Sequence, residues 1–127
     1  MKTKIQALVN LLLKLHKALL DLERTRYEAE YGPILDNSAY FNLVISHEDF
    51  KWLSGLLEII ALLDEESEAE NISAEKIADL ITNLKNLLEV NDNSEFSQRY
   101  QAALKNPEIS QFDNELKTVI SKLTAIN

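Results

Sequence analysis

Residues 46–66 read SHEDFKWLSGLLEIIALLDEE, and the spacing of apolar side chains in this stretch decides the fold. At ~100° per residue, Phe50, Trp52, Leu53, Leu56, Leu57, Ile59, Ile60, Ala61, Leu62 and Leu63 cover about 260° of a helix. Only Lys51, Ser54, Glu58 and Glu65 remain on a narrow polar strip. The run Ser46-His47-Glu48-Asp49 has the form of a capping box, in which Ser46 accepts from the first turn and Asp49 reaches back. A helix is therefore expected from here to about Glu66. An element apolar over so much of its circumference must be enclosed on most sides, which places it at the centre of a helical core.

The segments on either side are helical too. From about Thr3 to Tyr31, Ile5, Leu8, Val9, Leu11, Leu12, Leu13, Leu15, His16, Leu19, Leu20 and Leu22 fill an arc of about 200°, and Gly32-Pro33 ends the helix. Ser38 is expected to cap a short helix through Ile45, Ser73 a helix from Ala74 to Val90, and Ser94 another short one to Lys105. Asn91-Asp92-Asn93 breaks the chain between the last two. Asn106-Pro107 opens the final helix, which runs to about Thr124. Ile77, Leu80, Ile81, Leu84, Leu87 and Leu88, and separately Ile109, Phe112, Leu116, Val119, Ile120 and Leu123, each form a stripe of about 120°, as one-sided helices do. The expected fold is all-α, a four-helix up-and-down bundle with two additional short helices, formed by residues 1–127 as one domain.

Composition narrows the chemistry. The 127 residues carry 13 basic and 21 acidic side chains for a net charge of −8, two Gly and no Cys. Without Cys there is no disulfide framework, thiol nucleophile or thiolate metal site. Gly32 and Gly55 stand alone, which excludes phosphate loops built from several glycines. The acidic balance excludes a nucleic-acid binder working through clustered Lys and Arg. The longest apolar run, Ile59 to Leu63, is too short for a membrane span. Lys2 and Lys4 precede a leucine-rich stretch as in an export signal, but Asn10, Lys14, His16 and Lys17 interrupt it. The segment is therefore expected in the fold, and a soluble cytoplasmic protein is the default. From Glu58 to Glu75 there are seven acids and no base, expected as a solvated acidic tip that frays near Glu66 and faces Lys2 and Lys4.

The stretch Ser46 to Leu53, continuing through Leu56, Glu58, Ile59 and Ile60 to Asp64-Glu65, resembles a block in small uncharacterised bacterial helical proteins. In those, Phe-x-Trp-Leu leads into an apolar helix ending in Asp-Glu. Leu15 to Asp21, with Glu23, Arg24 and Tyr27, looks similar as well. The resemblance implies a helical fold and no activity.

No catalytic residue, metal ligand set or cofactor site is singled out. The residues three before His16 and His47 are Leu13 and Val44, not the Glu that a carboxylate-bridged di-iron bundle needs. His16 is expected as a structural histidine and His47 as a solvated first-turn residue. Six of the nine aromatic residues lie between positions 27 and 52. With the helices antiparallel they gather at one end, where Glu23, Arg26, Tyr27, Tyr31, Tyr40, His47 and Trp52 make a candidate ligand pocket between the first and third helices. The bland alternative is packing, with Arg26 paired to Glu30. The excess apolar arc of the two helices points instead to self-association through Leu11, Leu13, Trp52, Gly55, Leu56, Ile59 and Leu62, with Gly55 marking a close backbone approach. The first function expected is thus a non-enzymatic helical interaction module, homodimeric or with another protein partner. The second is a ligand-binding bundle.

Overall fold

The computed structural model describes residues 2–89 and 94–125, and among these every regular element is a helix. They are α1 (Lys2–Tyr31), α2 (Asn37–Ser46), α3 (Glu48–Lys51), α4 (Ser54–Ser67), α5 (Ala74–Leu88), α6 (Glu95–Ala103) and α7 (Pro107–Ala125). Val90, expected as a helix end, and the break at Asn91-Asp92-Asn93 lie outside the described residues.

The core is organised on α1. Ile5, Leu8, Leu12, Leu15 and Leu19 recur at three- and four-residue spacing and are all fully buried. α4 and α7 lie against this helix, and α5 lies against α4. Leu56, Ile60 and Leu63 come in from α4, Ile77, Ile81, Leu84 and Leu88 from α5, and Ile109, Leu116 and Ile120 from α7. Lys2 at the start of α1 reaches Glu68 beyond the end of α4 (3.9 Å), while Tyr27 near the end of α1 meets Phe50 of α3 (6.1 Å between rings). α1 therefore runs opposite to α3 and α4. Among the described residues no helix is long and apolar enough to cross a membrane.

The helix expected from Ser46 to Glu66 is two helices. Ser46 ends α2, with its hydroxyl donating to Asn42 O (2.7 Å), and His47 is the cap: its Nδ1 accepts from Asp49 N (3.1 Å). α3 lasts one turn. Phe50, Trp52 and Leu53 are all buried at this joint, and the regular α-helical ladder does not run through it. The chain tightens instead, with Leu53 N–H bonding Phe50 O (3.1 Å) in a three-residue turn before α4 begins. Likewise α2 is capped by Asp36, not Ser38, through Asp36 Oδ1 accepting from Ala39 N (2.8 Å).

Three further expectations are corrected. α4 is one-sided: Leu57 and Leu62 remain 44% and 42% exposed, because its neighbours α1 and α5 cover only the face of Leu56, Ile60 and Leu63. Gly55 marks no close approach, since a Cβ there would meet nothing within 4 Å. The acidic tip is tied down where fraying is expected. α4 runs on to Ser67, whose hydroxyl donates to Asp64 O (2.7 Å), and Glu66 Oε1 accepts from Ser73 N (2.8 Å). Gln6 Nε2 donates to Glu68 Oε1 (3.1 Å), so the first turn of α1 helps Lys2 hold this tip.

His16 lies buried in the stripe of α1, where desolvation lowers its pKa from 6.5. Two outcomes follow from these environments. On acidification the unfolded chain protonates His16 before the folded chain does, so wild-type stability falls as pH drops below 6.5. His16→Leu should flatten this loss between neutral pH and about pH 5 in urea unfolding. Gly55→Ala should raise stability by about 0.5 kcal/mol, because the methyl enters open space and the unfolded chain loses freedom. A drop in thermal midpoint for Gly55→Ala would show that a neighbour does crowd the position.

Candidate functional site

The candidate residues sit at the end of the molecule where α1 gives way to α2 and α3. α1 stops because Gly32 adopts φ +93°, with its N–H bonding Glu28 O (2.9 Å). The Glu28 carboxylate then accepts from Ile34 N (2.9 Å) and faces Arg24 (3.5 Å), fixing the loop that carries the chain into α2. The Arg24 guanidinium also lies over the Tyr40 ring, 4.6 Å from its centroid. His47 closes α2, its N–H bonding Leu43 O (2.8 Å), and opens α3, so its ring is fixed at the joint.

Around this joint the side chains form an aromatic cluster. Tyr27 meets Tyr31 (4.7 Å), His47 (5.2 Å, edge-on) and Phe50 (6.1 Å), and Tyr40 meets Phe50 edge-on (6.0 Å). Beside it a hollow of about 400 Å³ opens between the end of α1, the 32–36 loop and α2. Tyr27, Tyr31, Ile34, Leu35, Asn42 and Leu43 make most of its wall. The lining carries no charged side chain, and its ionisable groups are two phenols. It suits an apolar group.

Glu23 and Trp52 lie elsewhere, deeper in the fold. The Glu23 side chain is 3% exposed; Arg26 Nη1 binds Oε1 at 3.0 Å and Arg99 Nη1, from α6, stands 3.8 Å from Oε2. Arg26 pairs with Glu23 rather than Glu30 because Glu23 is the carboxylate that burial leaves in need of a partner. Burial raises the Glu23 pKa above 4.5; Arg26 and then Arg99 oppose the rise, and Asp49 adds to it. The buried Trp52 indole N–H is near enough to favour the carboxylate, yet it closes no hydrogen bond of regular geometry. The Trp52 ring packs on Phe96 (5.2 Å), which stacks on Tyr100 (5.5 Å). Tyr100 donates to Asp113 Oδ1 (2.7 Å), and Lys117 binds Oδ2 (2.8 Å). Burial first, and this bond second, push the Tyr100 phenol far up.

The seven candidate pocket residues are thus divided. Tyr27 and Tyr31 line the hollow; His47 touches both rings without lining it; Tyr40 packs between Phe50 and Arg24; Glu23, Arg26 and Trp52 form the charged node. The hollow itself lies beside α2. Of the candidate self-association residues, Trp52 and Leu56 are buried, Leu11, Gly55 and Ile59 are half-buried, and only Leu13 (45%) and Leu62 project freely. Arg99, Phe96, Tyr100, Asp113 and Lys117 went unnoticed because nothing local marks them. The outer face of α2 did carry a signal: Phe41 and Ile45, four residues apart, in a helix without a single charge. Among the described residues no group of three or more His, Cys, Asp or Glu side chains is placed to hold a metal ion. Compared with protein-family models, curated proteins and solved structures, the chain matches none.

A carboxyl with a raised folded pKa holds its proton more tightly folded than unfolded, so its ionisation subtracts stability as pH rises above 4.5. The stability of wild type relative to Glu23→Gln should therefore fall from acidic toward neutral pH in urea unfolding. A difference that grows with pH would mean that Arg26 and Arg99 outweigh the burial.

Proposed function

We propose that this protein is a non-enzymatic helical interaction module that associates with a second copy of itself through α2. The observation that carries this reading is that α2 has no buried residue and no charged one, yet is apolar on both sides. Tyr40, Leu43 and Val44 turn toward the fold and are half-buried, while Phe41 and Ile45 point out at 64% and 59% exposure. Leu35 (91%) and Tyr31 (58%) are exposed at the same end. All four are exposed apolar or aromatic side chains at one end of the molecule, the kind of surface that marks an interaction site. A helix apolar over most of its circumference, with Ser38, Asn42 and Ser46 as a polar strip, is normally covered.

The charge pattern says by what. In a chain of net charge −8, most surfaces of two copies repel, and with screening over about 8 Å at physiological salt the repulsion is felt mainly at the contact itself. From Asn37 to Ser46 there is no acid and no base, so this is where two copies approach at least cost. A basic partner would favour the acidic tip instead. Leu57 and Leu62 are weaker candidates, being about 140° apart on α4 and unable to form one stripe. The frame of the module is a four-helix up-and-down bundle of α1, α4, α5 and α7, with α2, α3 and α6 as short additions. Its support is the pairing of α1 with α4 and α7 and of α4 with α5.

A second reading, ligand binding, is favoured by the volume of the hollow, about 400 Å³, which falls in the range of small-molecule sites. Native mass spectrometry separates the two. The first predicts a dimer that Phe41→Asp with Ile45→Lys converts to monomer, at least ~100-fold weaker, with unchanged far-UV circular dichroism. The second predicts a monomer retaining a small molecule. A monomer in both forms with nothing bound would defeat both.

A further inference from the structure

We infer that the hollow beside α2 is the seat for Phe41 of the second copy, so that two chains lock reciprocally. This rests on the self-association just proposed and adds to it the identity of the contact. Asn42 lines the hollow and Phe41, its neighbour in the chain, points away from the fold. On this helix Phe41 is therefore about 100° from Asn42, the near wall of the hollow, with Ser46, Ala39 and Leu43 further round at about 140–160°. A two-fold contact must be self-complementary: whatever residue of one copy meets a site on the other, the reverse contact forms as well. When α2 of one chain lies along α2 of the other, the outer face of each comes beside the wall of the other's hollow. Each Phe41 can then enter the opposite hollow, and the contact is made twice.

The chemistry of the receptacle fits a phenyl ring. Its lining is uncharged, so no carboxylate or ammonium is stripped of water when the ring enters. Tyr27 and Tyr31, 4.7 Å apart and tilted by 43°, present ring faces and edges against which a third ring can pack edge-on. Their positions are held from behind, because His47 stands edge-on to both at 5.2 and 6.0 Å. A benzyl group has no donor or acceptor to satisfy. Besides the two phenol hydroxyls, the polar side-chain groups at the wall are the Asn42 amide and the Ser46 hydroxyl; both belong to exposed residues, and the Ser46 hydroxyl already donates to Asn42 O.

The test is complementation between two variants, read by sedimentation equilibrium. Phe41→Ala removes the projection and keeps the hollow. Asn42→Trp fills the hollow and keeps the projection. Each alone should dimerise at least tenfold more weakly than wild type, and Asn42→Ala should not. Mixed, the two variants should associate about tenfold more tightly than either does alone, because Phe41 of the Asn42→Trp chain still finds an open hollow in the Phe41→Ala chain. Misfolded variants could not show this rescue. If the wild type dimerises and the double substitution Phe41→Asp, Ile45→Lys abolishes it, but Asn42→Trp has no effect or mixing restores nothing, the seat is wrong and α2 remains the interface. If the wild type is monomeric, the self-association reading falls and the seat with it. A small molecule found in the hollow of a monomer gives the hollow a different occupant and overturns the inference as well.

Discussion

The apolar stripe of α1 is the constraint on which the structure depends. Five of its side chains, Ile5, Leu8, Leu12, Leu15 and Leu19, are shielded completely, and no other helix supplies as many. Burying each is worth on the order of 2 kcal/mol, which is why α4 and α7 settle on either side of this helix. The next buried residue of α1 after Leu19 is Glu23, four residues on. A stripe that ends in a carboxylate forces the fold to change character, because a charge held at 3% exposure must be met by partners. Arg26 from the same helix and Arg99 from α6 meet it, and the following turns of α1 are free to carry tyrosines rather than leucines. The apolar bundle and the aromatic end are separated by one residue.

α6 is drawn into place by the same requirement. It is short and turns Phe96, Ser97, Tyr100 and Ala103 inward while Arg99 reaches Glu23. Trp52, Phe96 and Tyr100 then run as a row of rings from the charged node to Asp113 on α7. One polar contact lies at each end of this row, and each fixes a helix that apolar contact alone would leave free to slide. At the other side of the node, Tyr27, His47 and Phe50 fix the joint between α2 and α3.

What could be read in the chain is what local spacing encodes. The all-helical class, the long α1, α5 and α7, and the stop at Gly32 follow from periodicity and from breakers, which act over a few residues. The caps at Ser73 and Ser94 are local in the same way. The interruption at Trp52 and Leu53 is not, since each residue there suits a helix and nothing in the spacing marks the tightened turn. Gly55 misleads because a glycine near a helix start can reflect either a close neighbour or none. The aromatic concentration between residues 27 and 52 was visible, but its division into a hollow and a charged node depends on Arg99, more than 40 residues further on. Pairings of that kind leave no pattern along the chain.

Trp52 is the chain's one tryptophan, and it stands at the meeting of α3, α6 and the Glu23 carboxylate. Its indole is shielded from water, while the exposed face of α2 carries no tryptophan. The protein thus has its single tryptophan in the interior and none on the face where chains would meet. Emission from that ring follows the integrity of the core and the ionisation beside it, and remains silent about events on α2. Under excitation confined to tryptophan, unfolding of the core is read apart from any contact made through α2.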